Sequence, residues 1–238
     1  MSFSYRAILL KKIKYGERNL ILQTYTRSEG SKAFFAGPQN SKGKSKTPLH
    51  PLSILELETI KGKGKLLTIK EMTNQRPFLN IMGDFRKTSI LMFLNEVLLR
   101  CLSDYQEDHN LFDFIERMCL DLNSGSEDTN NFHLKSLFEL SSHLGFYPNG
   151  QYSAEQPYFD LIEGTFSNEM PLHSNFISHE NAELFSRFQQ EHARNAEKII
   201  LSNKERREIL DQLLVYYRIH IENFHELKSV EVLETVFS

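Results

Sequence analysis

The hydrophobic period of this chain changes once, near residue 80, and that change limits its fold more than any other feature. Before it, apolar residues alternate in short runs bounded by turn formers; after it, they recur every three or four residues. The spacing predicts strands over Tyr5–Ile13, Leu20–Tyr25, Ser31–Ala36, Leu52–Ile60 and Leu66–Met72. Turns fall at Tyr15–Asn19, at Thr26–Gly30 and in Lys61-Gly62-Lys63-Gly64-Lys65. Pattern alone does not separate a sandwich from a barrel. Five short strands in about seventy residues favour a small closed barrel of the OB type.

Helical spacing then takes over. Asp84 is the expected N-cap of a helix whose apolar face holds Phe85, Ile90, Leu91, Leu94, Val97, Leu98 and Leu102. A second helix is expected over Leu111–Leu122. A third runs over Phe132–Leu144 and is ended by Gly145 and Pro148. Tyr147–Ser178 is irregular and rich in aromatics, with a short hairpin predicted around Gly164. Ala182–Ala193 is helical again. Ser202-Asn203-Lys204-Glu205 has the form of a capping box and opens a long last helix reaching Ile221. The fold class is α+β in two domains. Residues 1–76 form the barrel, and residues 77–238 form a helical domain with an irregular, cysteine-free insert at about 146–178.

Charge divides the same way. Residues 1–80 hold fifteen Lys and Arg against five Asp and Glu, a net +10. Residues 81–238 hold thirteen against twenty-six, a net −13. The whole chain therefore shows only −3. Such asymmetry assigns the two parts different electrostatic roles, with the barrel attracting polyanions.

The cations concentrate between Arg27 and Lys46, beside two adjacent aromatics and a Gly- and Ser-rich loop. Cations meet phosphates and ring faces stack on bases, so this stretch is the candidate nucleic-acid surface. The residues expected to contribute directly are Arg27, Lys32, Lys42, Lys44 and Lys46, with Lys11, Lys12, Lys63 and Lys65 as outer phosphate contacts. Tyr25, Phe34 and Phe35 are the stacking candidates, although alternation sends one of Phe34 and Phe35 into the core. The plainer reading is an edge strand guarded by lysines next to a solvated loop.

Other chemistry finds no support. Cys101 and Cys119 lie in apolar helical patterns, which fits a reducing cytoplasm rather than a disulfide framework. The first residues lack the apolar core of a signal peptide, and no run is apolar for the roughly 18 residues of a membrane span. The Gly-Lys turn at 61–65 lacks the Walker ending. The nine histidines are scattered, without metal-ligand spacing. No cofactor, metal or catalytic residue is expected, and the chain does not read as an enzyme.

The ordered set of motifs resembles the RecO family of bacterial recombination mediators. The carrying residues are the strand Ala7-Ile8-Leu9-Leu10, the turn Gly16-Glu17, the strand Leu20-Ile21-Leu22, the turn Thr26-Arg27-Ser28-Glu29-Gly30, the basic run Lys32–Lys46, and Leu227-Lys228-Ser229 after the last helix. One departure stands out. Many members hold zinc through two cysteine pairs after the third helix, and residues 145–164 contain no cysteine. Zinc is therefore not expected; packing by Tyr147, Tyr158, Phe159 and Phe166 is expected in its place.

The resemblance implies an OB-fold joined to a helical domain. It also implies binding of single- and double-stranded DNA, annealing of complementary strands, and loading of RecA together with RecR. Further partners it implies are the C-terminal tail of single-stranded-DNA-binding protein, and RecF, in a cytoplasmic, nucleoid-associated setting. The competing reading is a protein adaptor without DNA binding of its own, whose barrel binds another protein and whose helical groove takes a peptide. A groove for the acidic tail of single-stranded-DNA-binding protein, compatible with either reading, is expected in the helical part near Arg100, Arg117, Lys135 or Arg187.

Overall fold

A computed structural model describes residues 2–38, 49–62, 64–74, 76–125, 129–194 and 199–237, with backbone alone for 191–194. The chain forms two compact units, residues 1–127 and residues 128–238.

The first unit opens with five strands: β1 (Ser2–Tyr15), β2 (Asn19–Thr26), β3 (Gly30–Ala36), β4 (Ile54–Lys61) and β5 (Leu67–Asn74). They close into a barrel in the order β1-β2-β3-β5-β4, as the alternation predicts. Closure depends on β1, whose first half pairs with β4 and whose second half pairs with β2. The register shifts between Leu9 and Lys11, a bulge that bends the long strand from one neighbour to the other. The parallel pairing of β3 with β5, Phe34 opposite Leu67, completes the ring. β4 starts at Ile54, two residues later than the alternation suggests, because Leu52 sits at φ 60.

Every second residue points inward. Tyr5, Ala7, Leu9, Leu22, Phe34, Ala36, Leu55, Leu57 and Ile69 form the barrel core. The same unit includes α1 (Leu79–Met82), α2 (Phe85–Cys101) and α3 (His109–Ser124). Asp84 caps α2 by accepting the N–H groups of Arg86 and Lys87, as expected. Asp108 caps α3 in the same manner, and Gly125 ends it in the left-handed region at φ 71. α2 lies against β1, and Ile8 and Leu10 on that strand are buried. Cys101 and Cys119 sit in α2 and α3, where burial pushes the Cys101 thiol up to about 12 and the Cys119 thiol also upward. They are remote in sequence from the insert.

The second unit contains α4 (Phe132–His143), the strands β6 (Tyr158–Asp160), β7 (Thr165–Ser167) and β8 (Phe176–Ser178), α5 (His179–Arg194), α6 (Asn203–His220) and α7 (Ser229–Val236). The hairpin around Gly164 joins β6 to β7, and β8 adds on the other side of β6. The Ser202 capping box is present on both sides, with Glu205 accepting from the Ser202 N–H.

The insert is packed by rings. Phe159 is fully buried, with its centroid 4.9 Å from those of Phe166 and Phe185 and 5.9 Å from Tyr216. Tyr147 approaches Phe138 at 6.5 Å, and Tyr158 approaches Phe176 at 5.9 Å. A group of this size buries enough apolar surface to order short strands without a metal. No helix among the described residues is long and apolar enough to cross a membrane.

Candidate nucleic-acid interface

Strand pairing places one row of outward residues in register around the barrel. Ile13 on β1 lies opposite Ile21 on β2, Ile21 opposite Phe35 on β3, Phe35 opposite Thr68 on β5, and Thr68 opposite Ile60 on β4. The next row holds Tyr15 opposite Asn19 and, on the other side, Lys11 opposite Gln23 and Gln23 opposite Ala33. Tyr15 is 57% exposed and Ile60 39%. The Tyr15 and Phe35 rings meet edge to face at 6.0 Å. Two adjoining rings, exposed Tyr15 and half-buried Phe35, thus lie on the outer side of the sheet, flanked by Ile13 and Ile21. Exposed Lys11, Lys14, Arg18, Lys61, Lys65 and Lys70 belong to the same strands and turns. Rings on a sheet with cations around them can stack bases while the cations meet the phosphates.

Several predicted contacts take other roles. Phe34 is fully buried in the barrel core, 5.1 Å from the Tyr5 ring, and offers no face to a base. Phe35, its neighbour in the strand, is the outward one. Tyr25 is also fully buried. Its ring lies 6.3 Å from Phe112 at 28°, and its hydroxyl donates to the Gln106 carbonyl at 3.1 Å and accepts from the Asp108 N–H at 3.1 Å. Burial holds the Tyr25 hydroxyl well above the ordinary phenol range. Tyr25 therefore fixes the start of α3 instead of stacking on bases.

Arg27 donates from Nε to Asp113 Oδ1 at 3.0 Å and from Nη2 to Asp113 Oδ2 at 2.9 Å. The Arg27 hydrogen bond, and then its charge, hold the Asp113 carboxyl below its usual range. Arg6 makes the adjacent link to Glu116 and lies 3.8 Å from Glu56. Lys32 pairs with Glu29 and lies 5.0 Å above the Tyr5 ring, whose hydroxyl donates to Glu29 at 2.8 Å. Burial of Lys32 opposes its charge, but Glu29 and Tyr5 outweigh it and its pKa ends raised. Both Arg27 and Lys32 are thus engaged within the chain, where the sequence suggested phosphate contacts.

Lys12 faces the other parity, at the barrel mouth, and donates to the Leu49 carbonyl at 2.6 Å. Lys11 and Lys65 are exposed as expected. Lys42, Lys44, Lys46 and Lys63 lie outside the described residues. The cations named for a peptide groove divide between the two units, Arg100 and Arg117 in the first, Lys135 and Arg187 in the second. Arg117 lies 5.9 Å from the Phe114 ring.

Tyr15, Ile13, Ile21 and Ile60 were not singled out by sequence. The available signal was the alternation Lys12-Ile13-Lys14-Tyr15, which continues the first strand past Ile13.

Comparison with known proteins agrees with this architecture. The family model for the recombination protein O N terminal matches residues 1–78, and that for the recombination protein O C terminal matches residues 82–231. A DNA repair protein RecO of Flavobacterium psychrophilum is 35% identical over the whole of both chains. That of Flavobacterium johnsoniae is 32% identical, again over all of both chains, and that of Phocaeicola vulgatus is 33% identical over 97% of each. An N-terminal barrel and a helical C-terminal region matched in sequence along nearly their full length place the chain in the recombination protein O family of DNA repair proteins.

Proposed function

We propose that the chain is a recombination mediator that binds single- and double-stranded DNA, anneals complementary strands, and assists RecA loading with RecR. The observation that carries this reading is the outward Tyr15–Phe35 pair on a barrel of net positive charge. Bases stack on the rings without sequence preference, and the surrounding lysines meet the backbone. Holding two strands by their phosphates lowers the repulsion between them and leaves base edges free to pair. The reading assigns no catalytic role to any residue. It places the protein on the chromosome in the cytoplasm, with RecR, single-stranded-DNA-binding protein and RecF as partners drawn from the family.

In this reading Lys42, Lys44, Lys46 and Lys63 are phosphate contacts, as are Lys11 and Lys65. The test is annealing of two complementary fluorescent oligonucleotides by the wild type and by a Lys42/Lys44/Lys46→Ala variant. Annealing by the wild type and its loss in the variant support the reading. A wild type that fails to accelerate annealing contradicts it.

The adaptor reading draws on a different observation. Arg6, Arg27 and Lys32 are paired with carboxylates of the same chain, with which an external phosphate would have to compete. A chain that binds RecR but no DNA at low salt would be such an adaptor.

A further inference from the structure

The insert carries the opposite electrostatics to the barrel. Residues 136–186 contain no Lys or Arg and seven Asp and Glu. Its sheet also has an apolar end. Ile162 is 41% exposed and Leu172 fully exposed. Ile162 lies in the turn after β6, and Leu172 in the segment leading into β8. Because Asp160 pairs with Phe176, both emerge at the same end of the sheet.

Asp160 fixes that end. Its Oδ1 accepts the N–H of Ile162 at 2.8 Å and of Glu163 at 3.1 Å, and its Oδ2 lies 3.2 Å from His173 Nε2. The Leu161 N–H donates to the Asn175 carbonyl at 3.1 Å. One carboxylate thus ties the turn to the loop and leaves apolar side chains held in water. Such a preorganised tip loses little conformational freedom on docking.

We propose that this tip docks on the outward barrel face of a second copy of the chain, in a head-to-tail contact that single-stranded DNA displaces. The two surfaces complement each other twice. The barrel face offers Tyr15, half-buried Phe35 and Ile60, and residues 1–80 carry +10; the tip offers Ile162 and Leu172 within a segment free of Lys and Arg. Two barrel faces repel each other, and so do two tips, so like does not pair with like. The complementary pairing joins different surfaces, which makes the contact heterologous and open to further addition. DNA competes because it uses the same face; that clause alone rests on the reading proposed above.

The test is sedimentation velocity on the full chain across a range of concentrations, at low and at high salt. Two variants accompany it, Ile162→Glu/Leu172→Glu and Tyr15→Ala/Phe35→Ala, each checked by thermal unfolding. The wild type is expected to gain mass with concentration at low salt and to be monomeric at high salt. Each variant alone associates at least about tenfold more weakly. An equal mixture of the two forms a dimer and nothing larger, since one good tip then meets one good barrel. Oligothymidylate dissolves the wild-type assembly.

A monomeric wild type at every concentration in low salt overturns the proposal and leaves the tip to a different, basic protein. A variant that associates like the wild type, or a mixture that stays monomeric, overturns it equally. Association that persists with oligothymidylate bound overturns the competition. Association with no oligothymidylate binding at all keeps the contact and counts against the DNA reading instead.

Discussion

Arg27 and Asp113, 86 residues apart, form a two-pronged ion pair that ties the turn after β2 to α3. The pair engages a cation of the proposed nucleic-acid surface and links it to a helix. Asp113→Ala releases that guanidinium. It is expected to strengthen binding to single-stranded DNA and to steepen its salt dependence by up to about one unit. Arg27→Ala is expected to leave the salt slope unchanged. Salt titrations of both variants check this, and a shallower slope in Arg27→Ala would show that Arg27 meets phosphate despite Asp113.

Adjacent phenylalanines in β3 should separate stability from binding. Phe34 is in the core, and Phe35, half-buried, lies on the outer side against Tyr15. Phe34→Ala is expected to cost about 3–5 kcal/mol of stability. Phe35→Ala and Tyr15→Ala are expected to cost about 1–3 kcal/mol each in DNA binding. Urea unfolding and oligonucleotide binding on the three variants read the two effects apart.

Glycines at two turns of the barrel differ in what surrounds them. Gly16 and Gly30 have φ +67 and φ +66. A Cβ at Gly30 would fall 2.4 Å from the Tyr105 carbonyl oxygen, whereas at Gly16 the nearest atom is 4.0 Å away. Gly16→Ala carries only the left-handed penalty, about 1–2 kcal/mol. Gly30→Ala adds a backbone clash and is expected to destabilise clearly more. Comparison of their unfolding midpoints decides it.

Buried His133 gives stability a pH dependence. Burial, and then the charge of Arg206, push its pKa down from 6.5 to about 3. The unfolded chain therefore takes up this proton first as pH falls. The contribution of neutral His133 is complete above about 6.5 and is lost as pH drops towards about 3, at up to about 1.4 kcal/mol per pH unit. Urea unfolding of the wild type and of His133→Gln over that range should show a shallower decline in the variant. Parallel curves would contradict the assignment.

Local signals in the sequence read well, and signals that depend on distant packing did not. Asp84 and Ser202 announce helix starts within four residues, and both are caps. The alternation in β1 to β5 gives the barrel, because inward and outward positions repeat at period two whatever the partner. Parity says that only one of Phe34 and Phe35 faces in; which one follows from register with Leu22 and Leu67. Tyr25 shares the outward parity of Ile21 and is buried from outside by Tyr105 and Phe112, residues 80 or more positions away. β8 is three residues long, too short to show a period, and so passed as loop.

The central claim is that the outward Tyr15–Phe35 face of the barrel binds nucleic acid. The most direct measurement is a salt titration of binding to a fluorescent single-stranded oligonucleotide, with the wild type and a Tyr15→Ala/Phe35→Ala variant. The account predicts tight binding at low salt with a steep negative salt slope, and a variant that binds more weakly with the same slope, since rings and not charges were removed. Absence of wild-type binding at low salt, or equal affinity in the variant, would contradict it.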